Sequence, residues 1–334
     1  MIWFTWRQFR TQTWIALGAL AALGVLFAVA AGQIADLYAA SGLADCQAHC
    51  DSMVHTFLNS VGKGVSGAGY FLGLGLTYAV PPLIGAFWGA PLIARELETG
   101  TIRLAWNQSV TRNRWLATKL IGVGGLSVAT AGLLSLGTTW AASRVDQVGY
   151  ARISPLIFGA RGIVPLGYAA FAFTLGVALG LVIRRTVPAM AATLAVYVAA
   201  VAVMAQWVRA HLAPASHLVR ALDRDHINGL ILGDAGELRV IGDDQLPGAW
   251  VLNNLTVTTT GQEFTGPADP VQCGGRTGPG SCIEWVSSLG LRQDITYHPP
   301  EQFWILQFIE TGVFLGLALL LAGFCFWWVR RRSA

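Results

Sequence analysis

Six long stretches almost free of charge constrain this chain more than any other feature. They run over Trp14–Gly32, Tyr70–Ala94, Leu116–Ala142, Gly162–Ile183, Val187–Val208 and Phe303–Val329. Roughly 18 consecutive apolar residues suffice to cross the hydrocarbon core of a bilayer as a helix. In that core every backbone amide must be satisfied within its own segment or in a closed barrel. Barrel strands would show about ten residues of apolar and polar alternation. These runs are continuously apolar, so the sequence predicts helices. The first run is longer than the hydrophobic core of a secretory signal and is followed by further spans, so it reads as a retained first helix. The expected fold is an all-α membrane protein, a bundle of six transmembrane helices.

Composition agrees: 54% of residues are apolar and 12% charged, against about 25% charged in a soluble domain. Small residues such as Gly18, Gly24, Gly122, Gly125, Gly176 and Gly180 recur in the spans, where they let helix backbones approach closely. Pro81, Pro82 and Pro91 are expected to kink the second span.

With six spans, both termini share one side of the membrane. That side holds Arg7, Arg10, Arg95, Arg103, Arg112, Arg114, Arg184, Arg185 and Arg330–Arg332, with Lys119 at a span entrance, which is twelve of the 22 basic residues. Basic residues concentrate on the cytoplasmic side, so both termini are expected in the cytoplasm of a multi-pass plasma-membrane protein. Cys46, Cys50, Cys273 and Cys282 all fall in the opposite loops. Disulfides form in oxidising compartments, and Cys46–Cys50 and Cys273–Cys282 are plausible pairs. A metal site on Cys46, His49 and Cys50 is the sharper alternative, although no fourth ligand lies nearby.

Catalytic motifs are absent from the sequence. Neither Lys63 nor Lys119 stands in a phosphate-binding loop. The six histidines form no zinc-protease motif and no serine-hydrolase elbow occurs. The chain is therefore expected to be no enzyme, to bind no cofactor or metal itself, and not to bind nucleic acid.

The loop between the second and third spans carries the densest chemistry. It begins Arg95-Glu96-Leu97-Glu98-Thr99-Gly100-Thr101-Ile102-Arg103 and continues to Thr111-Arg112-Asn113-Arg114-Trp115. Arg95–Glu98 can extend the second helix beyond the membrane, Gly100 suits a chain reversal, Thr101–Trp106 can form a short helix and Thr111 can cap the next. The plain reading is an anchoring loop whose arginines bind lipid headgroups.

The Glu-x-Gly-Thr pattern at Glu98–Thr101, placed between a second span and a basic segment entering a third, resembles type-2 ABC transporter permeases. The opening Met1–Arg10 and the closing Phe303–Gly312, followed by an apolar run and Arg330–Arg332, are similar to those of actinobacterial members. The resemblance implies a transmembrane subunit of an ABC exporter. Its loop would include a coupling helix docking on a separate ATP-binding subunit, which would hold ATP and Mg. It also implies a second permease copy or a related permease as partner. Glu96, Glu98, Gly100, Thr101, Arg103 and Arg112 would form the coupling surface. Residues 1–10 resemble the family's interfacial elbow helix, with Ile2, Trp6 and Phe9 on one face and Arg7 and Arg10 on another.

Glu310 is the one acid well inside a span, and Gln307 lies on the same helical face. A charge there costs a few kcal/mol to insert. Two readings stand: a contact on the translocation path, or an interhelical hydrogen bond with Glu310 held protonated. Residues 209–302 are too long for a turn and contain a Val/Thr-rich run at Trp250–Thr260, which predicts a small extracytoplasmic subdomain with two or three strands. The domain division expected is 1–208, 209–302 and 303–334. The competing functional readings are a membrane-anchored sensor or enzyme using that outer loop, and a secondary transporter. No internal repeat supports the latter.

Overall fold

A computed structural model describes residues 2–46, 50–100, 111–148, 152–233, 236–243, 246–274 and 279–332. Two compact units are present: Met1–Leu212 with Trp304–Ala334, and Ala213–Phe303.

The first unit is helical. Six helices are long and apolar enough to cross a membrane: Leu17–Ala40, Gly64–Glu98, Arg112–Ala141, Val164–Ile183, Thr186–His211 and Pro300–Arg331. They are called spans 1 to 6 below. Most exceed the apolar runs that reveal them, because a helix continues into polar sequence until a cap ends it. Span 3 shows this at its start, where the Thr111 hydroxyl accepts from the Arg114 amide at 3.4 Å. Span 1 belongs to one unbroken helix, Ile2–Ala40. The elbow is thus not set off by a break, and the facing of Ile2, Trp6 and Phe9 lies outside the described side chains. A separate helix, Asp51–Val61, precedes span 2.

Span 4 lies at the centre, with most of its residues buried. Span 2 packs against it almost backbone to backbone. A Cβ at Gly180 would stand 2.6 Å from the Ala90 carbonyl oxygen, and one at Gly85 would stand 2.5 Å from that of Ala172. Gly176 meets the same stretch of span 2, whereas Gly18, Gly24, Gly122 and Gly125 have no neighbour within 4 Å. Of the glycines singled out from sequence, only the span 4 pair serves close packing inside the chain.

Span 2 remains one continuous helix despite its prolines. Its disturbance is a π-helical turn at Gly85–Gly89, between Pro81–Pro82 and Pro91. The missing proline amides interrupt the regular hydrogen-bond ladder there, and a wider turn absorbs the mismatch. Span 5 contains a second such turn at Met204–Val208.

The second unit corrects the all-α expectation. It contains strands β1 (Ser216–Ala221), β2 (Ile227–Leu232), β3 (Leu238–Gly242), β4 (Trp250–Val257) and β5 (Arg292–His298). One sheet has the antiparallel order β1-β5-β4, and β2 pairs with β3 as a two-stranded ribbon. Only β4 stands out in the sequence as a β-like run. The other strands are five to seven residues long and mix polar and apolar residues without regular alternation, so they carry little hydropathy signal. Leu222, Leu238, Val240, Val286 and Leu291 form the core. Gln293, wholly buried, donates to the Asn254 side chain at 2.8 Å within the sheet, while Asn254 donates to the Gly242 carbonyl at 3.1 Å and the Thr256 hydroxyl to the Val240 carbonyl at 2.8 Å, tying sheet to ribbon. Disulfides join Cys273 to Cys282 in this unit and Cys46 to Cys50 in the first.

Candidate functional site

Two polar clusters stand out in the helical unit, one around the loop between spans 2 and 3 and one around Glu310. In the first, span 2 ends at Glu98, Thr99 caps it, and Gly100 takes the left-handed conformation with φ of 72°. The Thr99 amide donates to the Arg95 carbonyl at 3.0 Å. A residue with a Cβ resists that φ, so glycine fits the reversal. Thr101, Arg103 and the proposed short helix lie outside the described residues. Arg112 opens span 3.

Both acids of this loop face the chain's own helices. The Glu96 carboxylate accepts from the Lys119 ammonium at 2.5 Å. Lys119 is buried, donates also to the Leu92 carbonyl at 3.2 Å and lies 4.4 Å from the centre of the Trp115 ring. Glu98 Oε2 accepts from the backbone amide and the hydroxyl of Thr186, at 3.0 and 2.7 Å. Thr186 is the first residue of span 5, just past the Arg184–Arg185 turn. An acid at a helix start satisfies an amide with no partner inside the helix and complements the helix dipole. At the end of the last span, Arg330 donates to the Asn113 side-chain oxygen. Spans 2, 3, 5 and 6 are thereby tied together around the loop.

In the second cluster Glu310 is wholly buried, and its partner is Arg209. Arg209 Nε donates to Oε2 at 2.7 Å and Nη2 to Oε1 at 3.0 Å. The Tyr168 hydroxyl of span 4 donates to Oε1 at 2.5 Å. Arg209 further donates to the Pro155 carbonyl at 3.2 Å, and its guanidinium carbon lies 4.5 Å from the centre of the Phe158 ring. A bidentate, hydrogen-bonded carboxylate is the arrangement in which a buried pair best recovers its desolvation cost.

Gln307, one turn before Glu310, is equally engaged. Its side-chain oxygen accepts from the amides of Ile163 and Val164, at 2.9 and 3.0 Å. Its amide group donates to the Phe158 carbonyl at 3.1 Å. These bonds belong to a segment that reads as plain loop in the sequence. Residues 152–163, between spans 3 and 4, bury Ile153, Ile157, Phe158 and Ala160. Irregular backbone is tolerated near the hydrocarbon only where protein covers it and supplies its hydrogen bonds. Here Tyr78 of span 2 donates to the Leu156 carbonyl at 3.0 Å, and Ser135 of span 3 to that of Gly162 at 2.7 Å. Arg161, also buried, donates to the Thr138 carbonyl at 3.2 Å and stands 3.8 Å from the Asp146 carboxylate. Burial pushes the Asp146 carboxyl above the usual range, with Arg161 drawing it back.

Gln307 and Glu310 are thus brought together, both turned into the bundle and both occupied by protein groups. Arg209, Tyr168 and Arg161 were missed from sequence. The sequence offers two separate signals, the largely apolar Ile153–Ala160 stretch outside the six runs and the lone acid Glu310 inside the last one. Among the described residues no group of three or more His, Cys, Asp or Glu side chains could hold a metal ion, and His49 lies outside them.

Compared with known families, residues 17–209 match the one described as ABC-2 membrane transporter related. No curated protein matches, and no solved structure does.

Proposed function

The chain belongs to the ABC-2 membrane transporter related family, and from that premise we propose that it is the permease subunit of an ABC exporter, driven by ATP hydrolysis in a separate subunit. The match carries the reading, because it spans the first five membrane helices together with the loop between spans 2 and 3. ATP and Mg belong to the partner, since no phosphate-binding loop occurs in this sequence. A second copy of the chain or a related permease completes the transporter.

In this reading the loop flanked by Gly100 and Arg112 is the docking site of the ATP-binding subunit, and both termini lie in the cytoplasm. The arginine distribution supports that orientation. The unit Ala213–Phe303 then lies outside, in keeping with its Cys273–Cys282 disulfide. Ion pairs and hydrogen bonds hold Gln307 and Glu310, which supports an anchoring role for them ahead of a direct substrate contact.

The test is to ask whether a neighbouring reading frame encodes an ATP-binding cassette subunit and to co-express that subunit with this chain, followed by affinity capture and ATPase measurement. Capture of the subunit is expected, and Gly100→Pro, which cannot adopt a positive φ, and Arg103→Glu should weaken it. Unchanged capture by both variants would remove the docking assignment. Reporter fusions at the C-terminus and after Gly261 should report opposite sides of the membrane.

A further inference from the structure

We propose that Glu98 is a positioning residue that carries movement of the docking loop into span 5, and is not a contact for the ATP-binding subunit. The inference rests on the permease reading. It adds the route by which a push on the loop reaches the far side of the bundle.

Three observations carry it. First, one carboxylate oxygen of Glu98 accepts both donors of Thr186, its amide at 3.0 Å and its hydroxyl at 2.7 Å. Two residues before the Gly100 reversal, the loop is thus clasped to a helix 88 positions along the chain. Second, the adjoining helix surfaces have no slack. Ala90 and Ala94 of span 2 and Ala189 of span 5 are wholly buried in one cluster, with Ile183 and Met190 against it. Small residues in close contact transmit displacement, because a packed interface has no void to absorb it. Third, span 5 continues helically from Thr186 to His211 and delivers Arg209 to Glu310 and Tyr168. At 1.5 Å per residue, its 26 residues cover about 39 Å. A movement imposed at Thr186 therefore arrives at the ion pair joining spans 5 and 6.

Glu96 has a different task. It ties span 2 to Lys119 of span 3, the other foot of the same loop. That bond stiffens the loop's base, whereas the Glu98 bond leads out of it into a third helix.

The experiment uses the full chain in complex with its ATP-binding subunit, with spin labels at Val25→Cys in span 1 and Val198→Cys in span 5, both exposed positions. The distance between labels is measured without nucleotide and after trapping with ATP and vanadate. Three variants are compared with the parent. Glu98→Ala removes the acceptor. Thr186→Pro removes both donors yet suits the first position of a helix, and the extended Arg185 before it (φ −127°, ψ 130°) is the conformation proline requires there. Thr186→Ser keeps both donors. The expected result is equal capture of the subunit by all three, with the nucleotide-driven distance change below half of the parent value in Glu98→Ala and Thr186→Pro and restored in Thr186→Ser.

A full distance change in both Glu98→Ala and Thr186→Pro overturns the proposal. So does loss of capture in Glu98→Ala with capture intact in Thr186→Pro, since Glu98 would then contact the motor directly. A parent complex that forms but shows no movement of span 5 overturns it as well. Failure of the unaltered chain to capture the subunit is a separate result, read in the parent alone; it removes the permease reading and this inference with it.

Discussion

Arg209 and Glu310 meet in a two-pronged pair, Nε to Oε2 at 2.7 Å and Nη2 to Oε1 at 3.0 Å, with neither side chain more than 1% exposed. The π-helical turn Met204–Val208 immediately precedes Arg209. One extra residue in a helical turn rotates the next stretch of helix by about 100°. That rotation accompanies a change from the exposed Trp207 and Val208 to the buried Arg209. Removing one partner strands a charge in a low-dielectric site. Glu310→Ala and Arg209→Ala should each destabilise the protein by about 3–5 kcal/mol. The joint variant Arg209→Met with Glu310→Leu should cost less than either single change, because it leaves no unpaired charge. Unfolding curves in detergent check this. If the joint variant is the least stable, the pair holds the fold by more than mutual neutralisation.

Gln307 acts on backbone rather than on another side chain. Gln307→Leu keeps the volume but leaves the amides of Ile163 and Val164 and the Phe158 carbonyl without their partner. The cost should be about 1–3 kcal/mol, concentrated in residues 152–163. Hydrogen exchange of the Ile163 and Val164 amides should quicken, with amides at the middle of span 4 unchanged. Uniform quickening throughout the chain would contradict a local anchor.

These two residues show how far the sequence could be read. The spans are visible because an apolar run of sufficient length has one stable state in lipid. Glu310 is visible because a lone acid in such a run needs an explanation. Its partner is not, because Arg209 follows an apolar run at the place where arginine normally reaches back to the headgroups. Its burial depends on the Met204–Val208 turn and on a tyrosine 41 positions away. The buried course of residues 152–163 is hidden for a related reason. The bonds that hold it come from Tyr78, Ser135, Arg209 and Gln307, on four different spans. The loop acids fall between these cases. Their position marks Glu96 and Glu98 as important, but whether they face outward or inward is set by helix register against spans 3 and 5.

Close packing of spans 2 and 4 can be tested at Gly180. A methyl group there would meet the Ala90 carbonyl oxygen at 2.6 Å, a backbone atom that cannot swing aside. Gly180→Ala should separate the helices locally and cost about 1–3 kcal/mol, lowering the unfolding temperature. Gly122→Ala is the control, because nothing lies within 4 Å of that position. A helix-interior glycine replaced by alanine in open space should instead stabilise by about 0.5–1 kcal/mol. Opposite signs for the two variants are the expected outcome, and equal effects would refute the packing.

Lys119 and Glu96 separate bracing from docking. Lys119 is buried against Trp115 and donates to both Glu96 and the Leu92 carbonyl. Lys119→Met preserves the stem and removes the donor, leaving a half-buried carboxylate without its cation. A loss of about 1–3 kcal/mol is expected. Glu96→Gln should cost less, because an amide oxygen can still accept from the ammonium. If the two residues act through each other, combining the substitutions should cost less than the sum of the single losses, by about 0.5–3 kcal/mol. Capture of the ATP-binding subunit discriminates the roles. A brace predicts that capture by Glu96→Gln equals that of the parent, with stability as the quantity that moves. A docking contact predicts the reverse: weakened capture, an unaltered unfolding curve and no coupling to Lys119. The 2.5 Å contact between the two side chains favours the brace, because a carboxylate already bound to a buried ammonium would have to surrender that bond to reach outward.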